Sequence, residues 1–176
     1  MSEQKWTVDH DHTEIGFKVR HMMITNVSGT FDRYRAGMTS VNPDFSDSSV
    51  WFEADTDSVN TRNPQRDEHL RSADFFKSAE HPKMVFRSTS FKKTGDNMFT
   101  MTGDLTIRDV SRPVTFSVEH TGQHKDPWGR LKAGFEMTSV INRTDFGLVW
   151  QLGTEDGTTV VDENVKINVN IQMIME

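Results

Sequence analysis

The chain has 176 residues, no cysteine, a formal net charge of −6 and a sequence pI of about 5.6. That length suits one domain, residues 1–176, with a sizeable core. The lack of cysteine removes disulfides, thiolate nucleophiles and thiolate metal sites, and no long basic run offers a nucleic-acid footprint.

The N-terminus, Met1-Ser2-Glu3-Gln4-Lys5-Trp6, lacks the basic and apolar regions of a signal peptide. No apolar run approaches the roughly 20 residues of a spanning helix. The chain therefore reads as cytoplasmic, with no stable membrane insertion. Asp9-His10-Asp11-His12 looks like a ligand cluster, since His10 and His12 would share one strand face. No His-Glu-x-x-His helix accompanies it and the other candidates are scattered. It reads as a polar strand end, and neither a metal nor another cofactor is expected.

Period-two alternation then dominates, the mark of strands with one apolar and one wet face. In Thr13–Arg20, Phe17 and Val19 alternate with Lys18 and Arg20, and His21 continues the inward phase. Strands are expected next over Ser28–Val41 and Ser48–Thr56. One helix interrupts them near Asn63–Phe76: Asn63 can cap it, Pro64 suits its first turn, and Asp67 and Glu68 sit near its positive end. Leu70, Ala73 and Phe76 can face inward at helical spacing, and His81-Pro82 stops the element. Further strands follow over Met84–Lys93, Met98–Ile107, Arg112–Gly122, Gly129–Ile141 and Val160–Met175. Turn signals separate them, including Thr94-Gly95-Asp96-Asn97 and Asp126-Pro127-Trp128-Gly129. Eight strands joined mostly by short turns give an all-β, antiparallel, closed barrel with one principal helix.

No catalytic constellation stands out. There is no Gly-x-Ser-x-Gly elbow and no glycine-rich phosphate loop, and Glu53 and Asp55 read as a solvated strand face. What remains is the apolar inventory of 12 Phe, 10 Met and 4 Trp. It fits a well-filled core first and a ligand tunnel second, and composition alone does not decide, because an eight-stranded barrel is wide enough for either.

Motifs in order along nearly the whole chain resemble the YceI-like family of lipocalin-like, polyisoprenoid- and lipid-binding proteins. They are Trp6-Thr7-Val8-Asp9, Gly29-Thr30-Phe31, Thr61-Arg62-Asn63, Arg66-Asp67-Glu68-His69-Leu70, Ser72-Ala73-Asp74-Phe75-Phe76, Gly103-Asp104-Leu105-Thr106-Ile107-Arg108 and Asn142-Arg143-Thr144-Asp145-Phe146-Gly147-Leu148. Asp109 departs from the pattern, standing where a glycine is common. The resemblance implies an extended lipocalin-like barrel with a long-chain isoprenoid or fatty-acid-like molecule along its axis, bound, stored or transported without catalysis.

From strand phase the lining candidates are Phe17, Val19, Phe31, Phe52, Phe86, Leu105, Ile107, Phe116, Phe135, Met137 and Ile171. Leu70 and Phe76, with Phe146 and Trp150, would close the ends, and His21 would meet a head group or a backbone carbonyl. Ala133, in phase with Phe135, would be a place to narrow the tunnel. Arg143-Thr144-Asp145 reads as a structural corner. Two alternatives stay open: an enzyme of isoprenoids or lipids with His12, His21 or His69 as base, and a stress-linked interaction protein with a filled barrel. Exposed strand faces and the resemblance are compatible with a homodimer.

Overall fold

The computed structural model describes residues 2–176. Eleven strands form one antiparallel sheet: β1 (Gln4–Val8), β2 (Glu14–His21), β3 (Thr25–Phe31), β4 (Tyr34–Ser40), β5 (Ser49–Asp55), β6 (Val59–Asn60), β7 (Lys83–Gly95), β8 (Met98–Ile107), β9 (Val110–Lys125), β10 (Leu131–Asn142) and β11 (Val161–Met175). Among the described residues one α-helix, α1, is present, covering Pro64–Arg71. Eight strands close a ring in the order β1-β4-β5-β7-β8-β9-β10-β11, with β11 returning to β1.

The closure depends on β11, whose 15 residues span roughly 50 Å at the usual strand rise. Its C-terminal end pairs with β1 (Val8 opposite Met173) and its earlier part with β2 (Ile15 opposite Val169, Val19 opposite Val165). Between β1 and β2 the 3-10 turn His10–His12 breaks the strand. The Asp9 carboxylate caps that turn, accepting from the Asp11 N–H at 3.2 Å. Below the break β1 pairs with β4. Above it β2 pairs with β3, and β3 with the two-residue β6. No strand joins β6 to β7; residues 61–82 fill that sector instead.

The expected strand Ser28–Val41 is therefore two strands. Asp32 and Arg33 break it. The Asp32 side chain accepts from Thr30 Oγ1 at 2.8 Å and Asn60 Nδ2 at 2.9 Å, and Arg33 pairs with Asp55 and Asp57. The helix is shorter than Asn63–Phe76. Asn63 Oδ1 accepts from the Arg66 N–H at 3.0 Å and Pro64 opens the first turn, as the sequence suggests. Ser72 then takes an extended conformation and its Oγ donates to the His69 carbonyl at 2.6 Å, ending the helix. The following turns bring Phe75 and Phe76 inward and leave Ala73 exposed, so Phe75 takes the inward place expected for Ala73. Arg108, in the β8–β9 turn, donates to the Ala73 and Phe75 carbonyls at 3.1 and 2.9 Å and ties this segment to the barrel.

Alternation carries through to burial. Phe99, Met101, Leu105 and Ile107 of β8, and Val114, Phe116 and Val118 of β9, are all buried, with exposed or half-buried residues between them. Burying such a side chain stabilises the fold by roughly 1.5–3 kcal/mol, so the alternating pattern fixes the register.

Candidate ligand cavity

The barrel has a solid floor. Trp6 donates its indole N–H to Ser40 Oγ at 3.1 Å and meets Phe45 edge-on, with ring centroids 5.4 Å apart. Phe45 in turn packs edge-on against Phe135 at 5.2 Å and His120 at 4.9 Å. Phe91 and Phe99, both almost completely buried, stack nearby in the same core at 4.9 Å. Aromatic rings close this end well, because they bury large areas in staggered geometries.

Above the floor the interior opens into a cavity of about 370 Å³. Small-molecule sites occupy roughly 300–1,000 Å³. A methylene takes about the space of one liquid water, roughly 30 Å³, so this volume suits a chain of about a dozen carbons. The wall is made by inward residues of β2, β3, β4, β5, β7, β8, β9, β10 and β11, and by Leu70, Phe75 and Phe76 from the sector without a strand. Phe17 lies over Gly29, where a Cβ would stand 2.4 Å from the ring. Phe86 lies over Gly103 in the same way, at 2.5 Å. Both glycines leave room for a ring folded flat against the wall instead of across the cavity.

The polar groups of the wall gather toward one end. They are Arg20, His21, Thr61, Arg66, His69 and Arg143, and no Asp or Glu lines the cavity. Arg143 is 4% exposed yet well satisfied. Its Nε donates to the Asp162 carbonyl (3.0 Å), Nη1 to those of Leu148 (2.6 Å) and Trp150 (2.9 Å), and Nη2 to that of Val161 (3.1 Å). It sits on a 3-10 turn, Arg143–Phe146, capped by Asn142 and ended by Gly147 at φ 80. The guanidinium thus ties together the segments that frame the mouth, the structural corner expected from the sequence. Arg66 works likewise within its own loop, donating to Thr61 Oγ1 and the Thr61 carbonyl, both at 2.7 Å. Asp67 accepts from the Thr61 N–H at 2.8 Å. His69 holds Asp74 at 2.9 Å and presents its ring edge-on to Trp150 at 4.7 Å.

Of the residues nominated from the sequence, Phe17, Val19, His21, Phe31, Phe52, Leu70, Phe76, Phe86, Leu105, Ile107, Phe116, Met137, Trp150 and Ile171 lie on the cavity wall. Phe135 and Phe146 do not. Phe135 is part of the aromatic floor, because β10 runs past the cavity, and Phe146 is buried at the last position of the 3-10 turn. Ala133 lies two residues further toward the floor on β10, so enlarging it would not narrow the cavity. Strand phase also holds wall residues that were not nominated. Val165, Ile167 and Val169 share the phase of Ile171 on β11, and Ile15 that of Phe17 on β2. Phe75 carried no such signal, because it depends on where the helix ends.

His12, an alternative base, is off the cavity wall; it bonds Asp9 Oδ2 at 3.1 Å on the 3-10 turn. Burial works to raise the Asp9 carboxyl, but hydrogen bonds from Lys132, His12 and Gln172 outweigh it and hold it at about 2. Among the described residues no group of three His, Cys, Asp or Glu side chains is placed to hold a metal ion. Among the described residues no helix is long and apolar enough to cross a membrane.

An antiparallel barrel, packed with aromatics at one end and enclosing an apolar-walled cavity that opens at the other, defines a cup-shaped scaffold. The chain belongs to the YceI-like family: the YceI-like domain matches residues 6–173. It is 37% identical over 152 residues to Protein YceI of Escherichia coli, covering 86% of this chain and 79% of that protein. The crystal structure of the Campylobacter jejuni YceI protein superposes with a TM-score of 0.76 at 31% identity, over 95% of both chains. A polyisoprenoid binding domain from Saccharophagus degradans, implicated in plant cell wall breakdown, shares the fold at a TM-score of 0.69 and 14% identity, over 97% of this chain and 98% of that one.

Proposed function

We propose that the chain binds a long-chain amphiphilic lipid, polyisoprenoid or fatty-acid-like, inside the barrel and stores or carries it. The observation that carries this reading is the cavity itself: an apolar wall with a sealed floor, its polar groups gathered at one end and no carboxylate among them. A tail burying about twelve methylenes would gain roughly 10 kcal/mol gross, part of which is spent ordering the tail. Wall shape sets affinity more than hydrogen bonding does, so selectivity among tails of similar length is loose.

The polyisoprenoid binding described for the Saccharophagus degradans domain supports the same ligand class. The open interior argues against a filled barrel. The wall histidines, His21 and His69, have no partnered nucleophile among the wall residues, which favours binding over catalysis.

Native mass spectrometry after mild purification, followed by incubation with a mixed lipid extract, tests the reading. Retention of a long-chain species at one per chain is expected. Failure to take up any fatty acid or isoprenoid would overturn it.

A further inference from the structure

Nine large apolar side chains are exposed among the described residues, and five of them, Met22, Met23, Ile24, Val149 and Leu152, stand at the cavity mouth. Two hairpin tips carry them, and hydrogen bonds join those tips side by side. The Met22 N–H donates to the Val160 carbonyl at 2.8 Å, and the Val160 N–H to the Leu152 carbonyl at 3.1 Å. Val160 and Val161 line the cavity between them, so apolar wall residues lie directly beside the exposed apolar tips. Ile24 is 72% exposed, Val149 66% and Leu152 59%.

The backbone at the β2–β3 tip makes the residue choice more telling. Met22 and Met23 occupy the two central positions of a turn closed by the Ile24 N–H on the His21 carbonyl at 3.0 Å, and both are left-handed, with φ 52 and 58. Such a turn favours Asn-Gly, and a residue other than glycine there costs conformational energy. Methionines held in that geometry and exposed to water oppose both folding and solubility, the kind of cost that points to a functional surface.

We infer that this rim docks onto a lipid bilayer, seating Met22, Met23, Ile24 and Leu152 at the head-group boundary so that a tail passes between membrane and cavity without crossing water. The transfer half of this inference rests on the lipid-binding reading above; the docking half does not. Charge supports a bilayer of neutral head groups. Arg20 stands on one hairpin, but Glu155 and Asp156 stand on the other, and side-chain hydrogen bonds from Thr154 and Thr158 hold Asp156 at about 2, fully ionised at neutral pH. With both signs on the rim and a net −6 on the chain, apolar insertion is the main attraction, and anionic lipid adds nothing to it.

The test compares the full chain with the triple variant M22N/M23G/I24T and with L152S. None of these residues lines the cavity. The triple variant installs the sequence that the turn prefers, so thermal stability should hold or rise. Flotation with phosphatidylcholine vesicles should recover the wild type, and adding phosphatidylglycerol should not improve recovery. The triple variant should partition about tenfold or more weaker, and L152S weaker by a smaller factor. Uptake of a fluorescent fatty acid from vesicle-free solution should be unchanged in both, while its transfer from vesicles slows. A wild type that fails to float, variants that float equally well, or sedimentation showing that the rim is covered by a second copy of the chain would each overturn the proposal. Loss of uptake from vesicle-free solution in the wild type would instead strike the lipid-binding reading and leave docking standing.

Discussion

Ala36 of β4 lies on the cavity wall and is the smallest inward side chain there, standing opposite Phe52 in the β4–β5 ladder. Ala36→Phe adds six carbons, roughly 100 Å³ at interior packing density, against an available 370 Å³. That displaces about three methylenes of a bound tail at about 0.8 kcal/mol each, or about 2.4 kcal/mol, close to a fifty-fold loss of affinity. The loss should appear only for tails long enough to reach the occupied space. Isothermal titration of saturated fatty acids of increasing length, on wild type and variant, reads it directly. Short acids should bind both proteins alike, and the two affinity curves should part as the chain lengthens. Thermal denaturation supplies the control, since overpacking a solid core costs about 1–3 kcal/mol, whereas a ring entering open space should leave the midpoint nearly unchanged. A stable variant with equal affinities at every length would refute the placement of the tail along this wall. A variant destabilised by the overpacking amount would refute the cavity at this position.

Three further outcomes follow from the polar groups. Arg143→Lys cannot reproduce the four carbonyl bonds and should cost about 2–3 kcal/mol in denaturant unfolding, with limited proteolysis appearing first between Leu148 and Val161. Burial lowers the pKa of the His120 ring from its usual 6.5, a backbone hydrogen bond at Gly122 opposes this only in part, and Nε2 has no partner. The unfolded chain therefore binds that proton more tightly, so stability should fall as pH drops from about 7 toward 5, and His120→Phe should flatten this slope in thermal scans. For Asp9 the folded carboxyl titrates at about 2 and the unfolded one near 3.8. Its contribution is complete above about pH 4 and is lost as pH falls toward 2, so Asp9→Asn, about 2 kcal/mol less stable at neutral pH, should converge with the wild type in acid.

The sequence made the wall legible wherever a strand exposes one face to water. Phe17, Phe86, Leu105, Phe116 and Ile171 were each placed by period-two phase alone, because a sheet wet on one side must alternate. Depth along the barrel was not legible. Phe135 and Met137 share a strand and a phase, yet one belongs to the floor and the other to the wall, since alternation reports direction and not height. The split of the second expected strand, Ser28–Val41, at Asp32-Arg33 was hidden because it needs partners far away in sequence, Asn60, Asp55 and Asp57. The helix start was clear from Asn63-Pro64. Its end was not, because Ser72 stops the helix with a local hydrogen bond that competes with continuation.

The sector between β6 and β7, filled by residues 61–82, makes the barrel mechanically unequal along its length. At the base every strand is laddered to two neighbours, so the circumference is a hoop whose girth cannot change without breaking backbone pairs. Toward the mouth the hoop becomes a cuff with a seam, fastened by Arg108 on the Ala73 and Phe75 carbonyls and by the packing of Phe75 and Phe76. With the proposed lipid role, slack in that seam would admit guests of different thickness, while the base would set how deep any of them can go. Amide exchange should show this as a gradient, slow in β8, β9 and β10 near the floor and fastest across residues 61–82.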